Sequence, residues 1–261
     1  MNIGFLITAR LKSIRLPKKV ILKIAERPLI SHMLDRIKDA RRVNEIIICT
    51  STNSQDDPLK QIAVKEDVIC YRGSEDDVLM RLHEAASFHG IEYIVNLTAD
   101  CPIIDPFFID STVDEFEKTN ADFIEWDKLP AGQGPLGLKV SALKKACDIK
   151  NENDTEVWGD YFTKTGLFQV HNPEVDNEFI FPDLKTTLDY PADYEFFKCI
   201  FDELYTPNKV FSLSDIIKLI KEKPELIFIN RHCQKLCKDH ISRSTAGIKL
   251  KKQYMKTINA C

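Results

Sequence analysis

No apolar run in this chain is long enough to cross a bilayer, and the first run, residues 3–7, meets Arg10, Lys12 and Arg15 too soon to form a signal-peptide core. The expectation is a cytoplasmic protein with no membrane partner. An excess of positive charge is also missing. Lys and Arg number 36 against 40 Asp and Glu, a formal net charge of -4, so no global positive field exists to hold nucleic acid or an anionic membrane. The eight cysteines are scattered, and the closest pair, Cys233 and Cys237, has no second pair at zinc-finger spacing, which argues against a structural zinc. Several lie inside apolar runs, as reduced and buried thiols do. The six histidines are dispersed, with neither triad nor metal-ligand spacing. There is no internal repeat and no low-complexity tract.

What is present is an ordinary globular composition, 44% hydrophobic and 29% charged over 261 residues, enough for one large core. Apolar runs at 3–7, 45–51, 68–71 and 93–97 read as strands. Between them lie patterns of helical period: Leu29, Ile30, Met33, Leu34 and Ile37; Leu59, Ile62 and Ala63; Val78, Leu79, Leu82 and Ala86. Alternating strands and helices predict βαβ units, right-handed crossovers and an α/β fold of three layers, α/β/α, around a doubly wound sheet. Ligands of such sheets bind at the carboxyl ends of the strands. From 122 to 137 the pattern weakens, and Gly132, Gly134 and Gly137 suggest an acceptor-side excursion or lid. Helices are expected over 140–147, 157–163, 193–204 and 212–222, and a strand over 179–181. The segment 235–261 holds seven Lys or Arg against one Asp, a net of +6, and reads as a basic, solvated extension.

Three stretches carry candidate chemistry. Thr8-Ala-Arg-Leu-Lys-Ser-Ile-Arg-Leu-Pro-Lys-Lys-Val puts Arg10, Lys12, Arg15, Lys18 and Lys19 in one loop after the first strand, which predicts a polyanion site. Asp100 follows the fourth strand directly, and Asp189 ends an apolar segment just before Pro191. Each acid alone could merely cap a turn or helix. Together on one rim they could hold Mg²⁺, which takes one or two carboxylates and fills its shell with water and phosphate oxygens.

Four motifs, Arg10-x-x-Ser13-x-Arg15-Leu-Pro-x-Lys19, Arg72-Gly-Ser-Glu-Asp-Asp-Val-Leu79, Thr98-Ala-Asp-Cys-Pro-Ile-Ile-Asp105-Pro and Thr187-Leu-Asp-Tyr-Pro-Ala-Asp193, resemble the cytidylyltransferase superfamily. Within it the chain most resembles the branch of the spore-coat polysaccharide biosynthesis protein F, related to CMP-Kdo and CMP-sialate synthetases. The resemblance runs from about residue 1 to 232. It implies a Rossmann-like, mixed but mostly parallel sheet of the nucleotide-diphospho-sugar transferase type, in a nucleotidyltransferase domain over 1–232 with the excursion at about 122–180 and the basic extension at 233–261. It implies CMP transfer from CTP to a small sugar-acid, sugar-phosphate or phosphonate acceptor, with pyrophosphate leaving, for surface polysaccharide or glycoconjugate biosynthesis. Arg10, Arg15 and Lys19 are the implied catalytic cations. Thr8, Ala9, Arg10, Ser13, Lys19, Arg72 and Ala99 are the implied nucleotide contacts, and Asp100 and Asp189 the Mg²⁺ ligands. A homodimer is an assembly common among such enzymes. The stretches 133–140 and 155–160 depart from the relatives' pattern, which leaves the acceptor open. A glycosyltransferase using a sugar nucleotide, and a non-catalytic nucleotide-binding protein, are the rival readings.

Overall fold

The computed structural model describes residues 1–244 and 248–254, the side chains of 241–244 excepted. Its strands are β1 (Ile3–Thr8), β2 (Lys23–Ile24), β3 (Arg27–Pro28), β4 (Glu45–Ser51), β5 (Ile69–Gly73), β6 (Tyr93–Thr98), β7 (Phe123–Ile124), β8 (Leu136–Lys139) and β9 (Val170–His171). Its helices are α1 (Leu29–Asp39), α2 (Asp57–Lys65), α3 (Val78–Phe88), α4 (Pro106–Thr119), α5 (Val140–Ile149), α6 (Asp160–Thr163), α7 (Pro191–Leu204), α8 (Leu213–Glu222) and α9 (Arg231–Ser244).

The apolar runs that predicted strands do become strands: β1, β4 and β6 bury alternate side chains on both faces, and β5, at the sheet edge, is half-buried on both. Leu6, Ile47 and Cys49 face the core beneath α3 and α5, whereas Phe5, Ile7 and Ile48 face the core beneath α1, α2 and α4. The main sheet has the order β5-β4-β1-β6-β8-β7-β9. Strands β5, β4, β1 and β6 are parallel, and β8 runs against β6 and β7. The sheet is therefore mixed but mostly parallel, in three layers, as expected. Chain order runs outward from β1 through β4 to β5 and then returns to β6 on the other side of β1, so the switch point lies between β1 and β6. In-register pairing of Thr8 with both Cys49 and Thr98 brings those strand ends to one rim.

Several elements differ from expectation. Helix α4 was not read from the sequence, although Asp105 caps it by accepting from Phe107 N at 2.9 Å and Pro106 opens its first turn. The strand expected at 179–181 is absent. A short 3-10 turn, Asn177–Phe179, stands there instead, Pro182 cuts short any pairing, and Phe179 packs on Phe107 and Phe108. The helix expected at 157–163 is reduced to α6. The weak segment from 122 supplies β7 and β8 to the main sheet. The basic segment carries structure of its own: 231–244 is helix α9, anchored by the fully buried Cys233 with Lys235, Lys238 and Asp239 exposed, and Leu250 packs on the core beneath α3 and α5. The remainder, 245–247 and 255–261, lies outside the described residues.

The β2–β3 hairpin turns on Ala25 and Glu26, both in the left-handed region with φ of 47° and 62°. A two-residue turn of this hand favours Asn-Gly, and each non-glycine residue held there costs about 1 kcal/mol or more. The double change Ala25→Asn with Glu26→Gly is expected to raise stability by roughly 1 kcal/mol, or about 2–4 °C in melting temperature. Thermal unfolding checks it, and an unchanged midpoint would count against the strain.

Candidate active site

At the switch point the sheet rim opens into a cavity of about 480 Å³. Thr8 and Ala9 leave β1, Thr98 and Ala99 leave β6, and the loop after β1 wraps across them, so Arg10, Lys12, Ser13, Arg15 and Lys19 all line the cavity with Asp100. Lys18 does not; its own backbone is left-handed, with φ of 53°.

Asp189 reaches the same place from a distant part of the chain, and hydrogen bonds explain how. Its segment is tied at one end to the loop before β8, where Thr186 N donates to Ala131 O at 2.8 Å. Closer to the site, Leu188 N donates to the carbonyl of Asp100 at 2.7 Å, which lays the two acid-bearing backbones side by side. Gly132 permits the approach: with φ of 95°, a Cβ there would stand 2.6 Å from Thr186 O. Gln133, read as part of a divergent acceptor region, is a buried fastener. Its amide donates to Ile103 O and Thr186 Oγ1 and accepts from Asp105 N.

The centre of the site is Lys19. Its ammonium donates to Asp100 Oδ2 at 2.6 Å and to Asp189 Oδ1 at 2.9 Å. Burial alone would lower the Lys19 pKa, but the two carboxylates outweigh it and hold the pKa above the ordinary lysine value. Burial would likewise raise Asp189, and Lys19, Lys185 and Arg15 reverse that, keeping its carboxyl below the usual range. Arg15 Nη2 reaches Asp189 Oδ1 at 3.0 Å, with its guanidinium over the Tyr190 ring. Thr98 Oγ1 donates to the other oxygen of Asp100.

The outer cations are paired as well. Arg10 meets Glu156 at 3.1 Å and Asp76 at 3.8 Å, and Lys12 meets Glu75 at 3.3 Å. Four loop cations thus face five carboxylates, a local net of -1. The loop is a set of matched pairs, where the sequence suggested a surplus of positive charge.

Of the residues singled out by sequence, Thr8, Ala9, Arg10, Ser13, Arg15, Lys19, Ala99 and Asp100 line the cavity, and Asp189 touches Arg15 and Lys19 from its edge. Arg72 is not brought there. Its guanidinium donates to Ser51 O and Asn53 O, both at 2.8 Å, and to Asp57 at 2.7 Å, so it ties β5 to the start of α2 and does not line the cavity. Sequence reasoning missed Asp76, Asp154, Glu156, Trp158 and His240 as lining residues, and Lys185 beneath Asp189. Asp76 belongs to the motif at 72–79, and Glu156 and Trp158 to the divergent stretch 155–160, whereas nothing in the spacing marks Asp154, Lys185 or His240.

Asp100 and Asp189 offer hard oxygen donors close enough to share one cation. Among the described residues no third acid, His or Cys joins them in a metal-binding cluster. That donor set fits Mg²⁺ held by one or two carboxylates and completed by substrate oxygens, and does not fit an all-protein cage.

The fold and this rim define a doubly wound α/β protein with a strand-end cavity, lined by paired cations and bordered by two acids. The Cytidylyltransferase family model matches residues 5–178, and the chain belongs to that family. It is 26% identical over 234 residues to the spore coat polysaccharide biosynthesis protein SpsF of Bacillus subtilis (strain 168), covering 86% of this chain and 96% of that one. It is 34% identical over 180 residues to the 3-deoxy-manno-octulosonate cytidylyltransferase of Geobacter sulfurreducens, 64% of each chain. Among solved structures, a cytidylyltransferase from Leptospira borgpetersenii serovar Hardjo-bovis (strain JB197) superposes with a TM-score of 0.79 at 29% identity, covering 87% of this chain and 97% of that one.

Proposed function

We propose that the protein is a Mg²⁺-dependent cytidylyltransferase that moves CMP from CTP to a small sugar-acid acceptor in surface polysaccharide or glycoconjugate biosynthesis. The observation that carries the reading is the convergence of Asp100 and Asp189 on Lys19 inside the cavity. The acceptor class is taken from the sugar-acid relative of Geobacter sulfurreducens and the polysaccharide role from the relative of Bacillus subtilis.

The reaction is an in-line displacement. An acceptor hydroxyl oxygen forms a bond to the α-phosphorus of CTP, the bond from that phosphorus to the bridging oxygen breaks, pyrophosphate leaves with the electron pair, and the hydroxyl proton passes to solvent. Arg10, Lys12, Arg15 and Lys19 hold the phosphate oxygens and meet the charge growing on the leaving group. Because these cations are already matched by carboxylates, a triphosphate of about four negative charges finds no local surplus, which is the electrostatic argument for a divalent cation. Held by Asp100 and Asp189, Mg²⁺ would supply charge neutralisation at the phosphates. The protein's own part is to orient the chain of phosphates along the strand ends and to carry the acceptor opposite the leaving group.

Pyrophosphate release from CTP, measured across a panel of 3-deoxy sugar acids, sugar phosphates and phosphonates with Mg²⁺ or with EDTA, tests this directly. Release with one sugar acid, abolished by EDTA, is the expected result. CTP bound without turnover on any acceptor would overturn the transferase reading.

A further inference from the structure

We propose that Lys185 is a positioning residue for Asp189: its buried ammonium takes one carboxylate oxygen and leaves the other facing Lys19 and Arg15 of the cavity wall. This rests on the reading of Asp189 as a metal acid. The two oxygens of Asp189 have separate surroundings. Oδ1 accepts from Lys19 Nζ at 2.9 Å and Arg15 Nη2 at 3.0 Å, two side chains of the cavity wall. Oδ2 accepts from Lys185 Nζ at 3.2 Å, Thr187 Oγ1 at 3.0 Å and the Cys237 thiol at 3.3 Å, none of which lines the cavity. A carboxylate so divided cannot rotate without breaking contacts on both sides.

Lys185 is fitted to this task and to no contact with substrate. Its side chain is 1% exposed. An ammonium has three donors, and Lys185 spends them on Asp189 Oδ2, Asp193 Oδ2 at 2.8 Å and Thr187 O at 2.7 Å. Its backbone is pinned too, with Asn230 Nδ2 donating to Lys185 O at 3.0 Å. Asn230 also donates to the second oxygen of Asp193 at 3.0 Å, so Lys185 is locked from below while it locks Asp189 from behind. Partners that orient a metal ligand in this way are typically worth about 10–100-fold in metal affinity or activity.

The competing account gives Lys185 only the structural duty of neutralising buried Asp193. Calorimetric binding of CTP, with Mg²⁺ and with EDTA, separates the two. The variants are Lys185→Met, the pair Lys185→Met with Asp193→Asn, which leaves no unmatched buried charge, and Thr187→Val, which removes another donor to the same Asp189 oxygen. The wild type is expected to bind CTP more tightly with Mg²⁺ than in EDTA. In the folded double variant that gain is expected to shrink about 10–100-fold while affinity in EDTA stays near wild type, and Thr187→Val is expected to lose part of the gain. A full Mg²⁺ gain in both the double variant and Thr187→Val overturns the positioning role and leaves Asp189 as a metal acid. A wild type whose CTP affinity ignores Mg²⁺ overturns the metal assignment itself, and this inference with it.

Discussion

Turnover is expected to fall by about 10²–10³-fold in each of Asp100→Asn and Lys19→Ala, since one preorganised electrostatic contact in a transferase site is worth roughly 3–4 kcal/mol of barrier. The two variants fail for different reasons. Asparagine keeps the size of Asp100 and can still accept from Thr98, but it brings no charge to a cation shared with Asp189. Its turnover should recover in part at high Mg²⁺. Alanine at 19 removes the cation between two acids, leaving both free for a metal but nothing of the protein's own to follow charge onto the leaving pyrophosphate, so added Mg²⁺ should not restore it. Asp100→Asn keeps the shape of the cavity wall and should melt close to wild type, whereas Lys19→Ala leaves two carboxylates facing each other without their shared cation and should melt lower, so its rate is taken per folded enzyme. Pyrophosphate release with a Mg²⁺ titration measures this; near-normal rates in both folded variants would remove the site assignment.

The strand-helix alternation and the acid-bearing strand ends were legible because they rest on local rules. Burial on two faces demands runs like those at 45–51 and 93–97, and a doubly wound sheet sends its strand ends to one rim. The convergence of Asp100 with Asp189 followed from resemblance alone, for no local rule joins residues so far apart. The structure supplies the physical cause in the Leu188 N to Asp100 O hydrogen bond and the glycine turn at Gly132. Arg72 shows the converse. Its motif looks like a ligand contact, yet its guanidinium is consumed by two carbonyls and Asp57, partners that no spacing rule foretells. Charge counting misled in the same way, because Glu75, Asp76 and Glu156 come from segments that only folding brings against Arg10 and Lys12. Helix α4 could have been read, since Asp105-Pro106 is a start signal with Phe108, Ile109 and Val113 at helical spacing behind it.

Asp193→Ala is expected to cost about 3–5 kcal/mol of stability, the range for removing one member of a buried ion pair. The carboxylate is fully buried and carries four contacts: Lys185 Nζ, the backbone N–H groups of Asp189 and Tyr190, and Asn230 Nδ2. Alanine would leave the buried Asp189 N–H and the half-buried Tyr190 N–H without an acceptor, at a desolvation cost of about 1–3 kcal/mol for each donor fully removed from water, while the Asn230 amide would keep only Lys185 O. Burial favours the neutral amine of Lys185, but Asp189 and Asp193 outweigh it and hold the lysine pKa above its ordinary value. With Asp193 gone, Thr187 O and Asp189 Oδ2 are the partners left to the buried ammonium. For a domain of this size the loss corresponds to a melting temperature lower by roughly 6–20 °C. Adding Lys185→Met should return part of it, since exchanging both partners for uncharged groups is often neutral where breaking a pair is not. The coupling energy from that double-mutant cycle decides the matter, and a single variant within about 1 kcal/mol of wild type would show that the network beneath Asp189 contributes little to holding the fold.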